Sequence, residues 1–264
     1  MYRTIFRRGA ACCAPTTRKK IMEKERIQKV LAASGQYSRR QVERLIDERK
    51  IKVNGVLVTK QGLAVHPVDD RISVAGKTFV YKPFEKTVVL LVNKPRRVVV
   101  TRSDEEGRQT VYELLPKEYA TFKPVGRLDF NSQGALLLTN DGDLILKLTH
   151  PRYHFPKIYE VKVSSVPAPW QVERMAKGIL IDGVKTQLAK VEVAETHDSS
   201  ALLRITLTEG KNRQIRHMCD AVGLTVKELR RTAIGPIRLK GLRSGQFRVL
   251  TRLEVKALQE ESES

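Results

Sequence analysis

Cysteine is nearly missing from the 264-residue chain: Cys12, Cys13 and Cys219 are all there is. They form no C-x-x-C pair, so neither a disulfide framework nor a thiolate metal site of ordinary spacing is available, which fits a reducing compartment. Histidine is scarce as well, at five. His150 and His154 lie four apart, but Pro151 and Pro156 interrupt any helical metal-binding face, and no metal is expected. The acids of Asn140-Asp141-Gly142-Asp143 lack the ligand spacing of a calcium loop and read as a turn and a helix start. No apolar run approaches the ~20 residues of a membrane-spanning helix. Acidic side chains are in deficit, 29 against 49 lysines and arginines, leaving a formal charge of +20 and a pI near 10.1.

That deficit is informative. A strongly positive field draws polyanions, and nucleic acid is the expected partner. An anionic membrane surface is the rival, and no membrane role is expected. The length suits two domains rather than one on a scale of roughly 100–200 residues each. There is no internal repeat and no coiled coil. Residues 1–21 hold six basic residues and no acid. An organellar transit peptide is one reading, which would place the protein in a mitochondrion or plastid. A disordered basic tail, or an overlong start before Met22, is the expected one, with the cytoplasm as the location.

Ordered pattern begins near Glu23. Ile27, Val30 and Leu31 follow helical spacing up to Gly35, and Ser38 is placed to cap a second helix carrying Val42, Leu45 and Ile46 on one face. Ile51 and Val53 alternate as a strand, Asn54-Gly55 is a tight-turn signal, and Val56 and Val58 alternate again. This order, with Ser38-Arg39-Arg40 opening the second helix and Val53-Asn54-Gly55 in the hairpin, resembles the S4 RNA-binding domain over residues 23–77. Arg39, Arg40 and Arg44 suit phosphate contacts, because guanidinium forks match phosphate oxygens. The plainer alternative is a solvated helix face. Residues 78–86 read as a linker.

Beyond the linker, residues 87–258 read as a second domain, with 259–264 as an acidic tail. Val88–Val92 is a short β-branched apolar run, so a buried strand; Val98–Val100 reads as another. A helix carries Val111, Leu114 and Leu115. Strands are expected at Ala135–Thr139, Tyr159–Val163, Ile179–Val184, Leu188–Val193 and Leu202–Leu207. Helices are expected at 143–148, 170–177 and 212–222, and 238–253 reads as strand and turn. Strands in hairpin-linked runs argue an α+β fold with a mostly antiparallel sheet.

One loop holds the chemistry. Gly126-Arg127-Leu128-Asp129-Phe130-Asn131-Ser132-Gln133-Gly134 presents a carboxylate between a cation and an aromatic, directly before an apolar strand. A lone aspartate there is more often a turn residue. The wording, however, closely resembles the catalytic loop of the pseudouridine synthases that modify ribosomal RNA (the RsuA/RluB type). The resemblance makes Asp129 the catalytic carboxylate. It extends to Glu209-Gly210-Lys211-Asn212-Arg213-Gln214-Ile215-Arg216-His217-Met218, to Tyr159 in Lys157-Ile158-Tyr159-Glu160-Val161, and to Leu229-Arg230-Arg231-Thr232-Ala233-Ile234-Gly235-Pro236.

By the resemblance, Arg216 pairs with Asp129, Tyr159 stacks on the target base, and Leu229 and Ile215 wall the pocket. Arg213 and Lys211 bind RNA, and Arg127 contacts the RNA backbone or braces the loop. On a helix, Arg213, Arg216 and His217 share one face. Taken singly, each has a duller reading, as strand packing for Tyr159 and a solvated face for the cations. The implied reaction detaches a uracil from its ribose, turns it and rejoins it through carbon, which needs no redox cofactor and, in principle, no metal. The carboxylate acts at the sugar, as nucleophile or as base. His150-Pro151-Arg152-Tyr153 before Lys157 resembles the branch acting on the large ribosomal subunit, with the small subunit as alternative. The implied partners are ribosomal RNA and ribosome-assembly intermediates, and a monomer is expected. The rivals are a non-catalytic RNA-binding assembly factor and a metal nuclease, the latter disfavoured because no second acid accompanies Asp129.

Overall fold

The computed structural model describes residues 23–81 and 86–261. The basic segment before residue 23, with Cys12 and Cys13, and the last three residues lie outside that range. The chain divides into two compact units, up to residue 82 and from residue 83 onward.

The first unit runs β1 (Glu25–Arg26), α1 (Ile27–Ala33), α2 (Arg39–Asp47), β2 (Ile51–Val53), β3 (Val56–Leu57), β4 (Ala64–Val65), β5 (Ile72–Val74) and β6 (Lys77–Phe79). Local chemistry accounts for most of it. Ser38 Oγ accepts from the Gln41 amide at 3.2 Å while the Gln41 side chain accepts from the Ser38 amide at 2.7 Å, so two orphan donors at the start of α2 are satisfied reciprocally. Asn54 and Gly55 both take positive φ, 52° and 83°, the primed two-residue turn that matches strand twist between β2 and β3. Ile27, Val30, Leu31, Val42, Ile46, Ile51, Ile72 and Val74 fill one small core. The expected linker starts too early: Ala75 and Gly76, again at positive φ, turn the chain so that β6 pairs with β5 as far as Phe79.

The second unit continues with β7 (Val89–Lys94), β8 (Lys123–Pro124), β9 (Gln133–Thr139), α3 (Gly142–Thr149), β10 (Lys157–Val163), α4 (Pro169–Ala176), β11 (Leu180–Ile181) and β12 (Val184–Lys185). It ends with β13 (Lys190–His197), β14 (Ser200–Leu207), α5 (Gln214–Asp220), β15 (Val226–Ile234), β16 (Ile237–Arg238), β17 (Phe247–Val249) and α6 (Arg252–Glu261). The main sheet runs β13-β14-β10-β15-β9-β7-β17, with β16 and β8 attached to β15 and β9. Its pairings are antiparallel except at one seam, where β15 lies parallel to β9 through Arg230 opposite Gln133 and Arg231 opposite Gly134.

β7 and β9 are apolar or buried without alternation because both of their faces are covered. Leu90, Val92, Leu136 and Leu138 enter one core with residues of α4 and α5. Val89, Leu91, Ala135 and Leu137 enter the other with Leu144, Leu148 and Leu258 of α3 and α6. β14 is buried on one face, and its alternation is correspondingly clean.

Several expected elements are corrected. Val98–Val100 is irregular chain, touching Thr110 through a single bridge from Val99. Val111–Leu114 is one turn of 3-10 helix. Ile179–Val184 is a small hairpin turned at Asp182-Gly183. The end of the second unit is helical: α6 begins after Thr251, which exchanges hydrogen bonds with Glu254 as a cap, and runs into the stretch read as an acidic tail.

Candidate active site

Asp129 stands in the loop between β8 and β9, and its local setting follows from what flanks it. Leu128 is buried in the core while Arg127 is exposed, so the loop is pinned at one residue and open at the next. The Ser132 amide donates to the Asp129 carbonyl at 3.0 Å, closing a turn that leads into β9. The half-buried carboxylate of Asp129 has no hydrogen-bond or ion-pair partner among the described residues. A carboxylate left with open acceptors inside a fold is available for chemistry.

The neighbouring turn 94–98 braces that loop. Lys94 has no solvent exposure, and its Nζ donates to the carbonyls of Pro95 at 2.9 Å and Val98 at 2.7 Å. Within the turn Arg97 adopts φ +62° and donates its amide to the Phe130 carbonyl at 2.7 Å. Burial pushes the Lys94 ammonium down to about 8; the negative charge of Asp129 works against that shift and the positive charge of Arg231 adds to it. Lys94, Asp129 and Arg231 therefore share one electrostatic neighbourhood.

Arg231 completes it. Only 3% exposed, it stands opposite Tyr159 of β10 on one side and Gly134 of β9 on the other. Its Nε donates to the Ala135 carbonyl at 2.7 Å, and its guanidinium carbon lies 6.0 Å from the centre of the Tyr159 ring. Its Nη2 is buried with no acceptor. A buried cationic donor without a partner is costly, and an anion belongs beside it. Lys157, on the same face of β10 as Tyr159, is also lowered by burial to about 8, with Arg231 adding to the shift; its Nζ donates to the Phe155 carbonyl at 2.9 Å.

Tyr159, 8% exposed, packs in one cluster with Leu128, Ile215 and Leu229, so the residues expected to wall a pocket do share a core. No ion pair joins Arg216 to Asp129 in the structure: half-buried on α5, Arg216 has a buried Nε without an acceptor, and its charge acts on the Cys219 thiol one turn along. Arg231 is the arginine whose charge, like that of Asp129, acts on Lys94. Sequence reasoning valued that segment for Leu229 alone, yet strand parity was the available signal: Leu229 inward, Arg230 outward, Arg231 inward.

Arg213 also departs from expectation. It precedes α5 in a left-handed conformation, φ +48°, so it does not share a helical face with Arg216 and His217. It is exposed, as an RNA contact must be. Lys211 directs Nζ to the carbonyls of Val184 and Lys185, at 3.4 and 3.0 Å, bracing the β11–β12 hairpin. The buried Glu209 carboxylate holds the same region together, accepting from the Gln187 amide at 2.9 Å and from Gln214 Nε2 at 2.7 Å. In the first unit Arg39, Arg40 and Arg44 are exposed on α2, Arg40 and Arg44 away from the face of the buried Val42 and Ile46, with no ion-pair partner among the described residues.

The site can therefore offer a carboxylate with open acceptors in the reach of a buried cation, and an aromatic ring beside them. Comparison with known proteins agrees with that chemistry. The profile of the RNA pseudouridylate synthases matches residues 88–221, and that of the S4 domain residues 25–72. The ribosomal large subunit pseudouridine synthase B of Bacillus subtilis (strain 168) is 39% identical over 236 residues, 89% of this chain and 95% of that protein. An uncharacterized RNA pseudouridine synthase of Aquifex aeolicus (strain VF5) is 37% identical over 238 residues, 90% and 94% of the two chains. A crystal structure of a pseudouridylate synthase superimposes with a TM-score of 0.64 at 27% identity, covering 89% of this chain and 99% of that one.

Proposed function

The chain belongs to the RNA pseudouridylate synthase family, and on that premise we propose that it converts particular uridines of large-subunit ribosomal RNA to pseudouridine, with Asp129 as the reacting carboxylate. The observation that carries the assignment of Asp129 is its open, half-buried carboxylate in the electrostatic reach of the buried Lys94, which in turn feels Arg231. The sugar step requires a carboxylate whose oxygens are free to react, and this one has no hydrogen-bond or ion-pair partner among the described residues. A uridine reaches such a site only after leaving its stack, and Tyr159 supplies a ring against which the extruded base can lie. Binding is left to the exposed cations, Arg39, Arg40 and Arg44 in the first unit and Arg127 and Arg213 in the second, which suit phosphate oxygens.

The large-subunit substrate is supported by the name of the Bacillus subtilis relative and by the His150-Pro151-Arg152-Tyr153 run before Lys157. The test has two arms. Asp129→Asn should abolish isomerisation on large-subunit rRNA transcripts while leaving RNA affinity near wild type, because the carboxylate lowers the barrier and phosphate contacts hold the RNA. A pseudouridine map of rRNA from cells with and without the gene should lose a large-subunit signal. A lost small-subunit signal instead would overturn the substrate, and activity within tenfold of wild type in Asp129→Asn would overturn the residue.

A further inference from the structure

The loop 100–109 is fastened in an unusual way to the residue that follows Asp129. Its base is closed by hydrogen bonds from the Val99 amide to the Gln109 carbonyl and from the Val111 amide to the Val99 carbonyl, both at 2.9 Å. Its tip is folded around one carboxylate: Asp104 accepts from the Arg108 amide at 2.9 Å, from Arg108 Nε at 3.0 Å and from Arg108 Nη2 at 2.7 Å. Glu106 takes the other terminal nitrogen of Arg108 at 2.9 Å. Held by two acids, the guanidinium lies 5.6 Å from the centre of the Phe130 ring, within cation–π range. Phe130 is thus gripped twice, on its ring by Arg108 and on its carbonyl by the Arg97 amide at 2.7 Å.

We propose that Arg108 is a positioning residue for the isomerisation, acting through the Phe130 ring to fix the Asp129 turn, with Asp104 as the group that aims it. An arginine whose fork is already occupied by two carboxylates is less suited to binding an RNA phosphate, since its charge is offset and three of its five side-chain donors are engaged. Its planar cation still presents a face to an aromatic ring, and that face is where Phe130 lies. Phe130 follows Asp129 directly in the chain, so a shift of the Phe130 backbone is also a shift of the Asp129 turn, and holding the ring restrains both. A reacting group displaced by an ångström can lose about a hundredfold in rate, so a brace this weak can matter to the chemical step. The Asp104 carboxyl is held below its ordinary range, chiefly by the Arg108 side chain, which keeps the clasp intact at neutral pH.

The inference rests on the reading of Asp129 as the reacting carboxylate, and one of its measurements needs no RNA at all. In the ligand-free protein, Arg108→Ala should speed hydrogen exchange at the Ser132 amide and across 126–134, while exchange in β10 and β14 stays unchanged. In single-turnover reactions at saturating enzyme, the rate should fall about tenfold, with RNA affinity and its salt dependence unaltered. Arg108→Lys should recover little, because an ammonium restores charge without the flat face. Asp104→Asn should reproduce part of the effect. Phe130→Ala combined with Arg108→Ala should be no slower than Phe130→Ala alone. Unchanged exchange in 126–134, a defect confined to affinity with a smaller salt slope, or additive losses in the double variant would each overturn the proposal. If exchange quickens as described but no RNA is isomerised even by the wild type, the substrate reading fails and the brace stands.

Discussion

Gly134 and Arg231 meet backbone to backbone at the parallel seam of the sheet: a β-carbon added to Gly134 would lie 2.2 Å from the Arg231 carbonyl oxygen and 2.8 Å from its nitrogen. Gly134 also holds φ +112°, which side chains rarely adopt. The seam sets β15 beside β9 and so delivers Arg231 to the strand that Asp129 leads into. Gly134→Ala must push the strands apart, because neither colliding atom belongs to a flexible side chain. A loss of about 3 kcal/mol or more is expected in urea unfolding. Activity should fall further than the unfolded fraction explains, since Arg231 moves with its strand.

The arginine assignment is tested by a pair of variants. Arg231→Met removes a buried cation from the neighbourhood that Lys94 shares with Asp129. At pH 7 the single-turnover rate should drop on the order of a hundredfold. Arg216→Ala should do less at every pH. The opposite ranking would return Arg216 to the role that its motif first implied.

Lys94 and Lys157 both lose their protons near pH 8, but the charge of Asp129 acts on Lys94 alone of the two. Below that pH Lys94 is a cation in the reach of Asp129; above it that positive charge is gone from the site. The rate should therefore decline as pH passes about 8. Lys157→Met should keep that decline, and Lys94→Met should remove it while lowering the plateau, since the carbonyls of Pro95 and Val98 lose their donor. A decline that survives in Lys94→Met would assign the limb to another group.

Stability in acid should report on α6. Arg248 holds Glu254 through two hydrogen bonds, at 2.9 and 2.6 Å, and the Glu254 carboxyl is lowered to about 2, chiefly by that side chain. The unfolded chain has the higher pKa, so it binds the proton first. Stability from this pair is complete above about 4.5 and is lost as pH falls towards about 2. Glu254→Gln should cost about 1–2 kcal/mol at pH 7, allowing for solvent screening, and should flatten the pH dependence in that window. An equal slope in variant and wild type would place the acid sensitivity elsewhere.

For the first unit the readout is ionic strength. Arg39→Ala, Arg40→Ala and Arg44→Ala should each weaken RNA binding similarly for any sequence. Each lost phosphate contact should reduce the slope of log affinity against log salt by roughly 0.7 for single strands or 0.9 for duplex. Unaltered slopes would mean that these arginines face water rather than RNA.

Much of this molecule was legible where a signal is local. The Ser38–Gln41 cap, the Asn54-Gly55 turn and the continuous runs of β7 and β9 rest on fixed periods or on φ angles that few residues tolerate, and each is present. The family wording around Asp129 also rests on adjacent residues. Elements held by long-range contact were misread. Val98–Val100 looks like a strand by composition but has no neighbour to pair with beyond one bridge. In α6 the Thr251–Glu254 cap was a local signal passed over, because only Leu258 is fully buried and the charged remainder resembles a tail.

The sequence by itself determined the fold class, the two-part organisation, the basic character and the carboxylate at 129, because composition, period and short motifs are properties of neighbouring residues. Only the tertiary structure set Lys94 and Arg231 in one electrostatic neighbourhood with it. Lys94, Asp129, Tyr159 and Arg231 lie on four separate stretches of chain. Strand order and register, set by two buried cores and by a glycine thin enough for the β9–β15 seam, bring them into one neighbourhood. Arg231 reaches that neighbourhood through strand pairing, which strands hydrogen-bond to which being a relation that no spacing along the chain encodes.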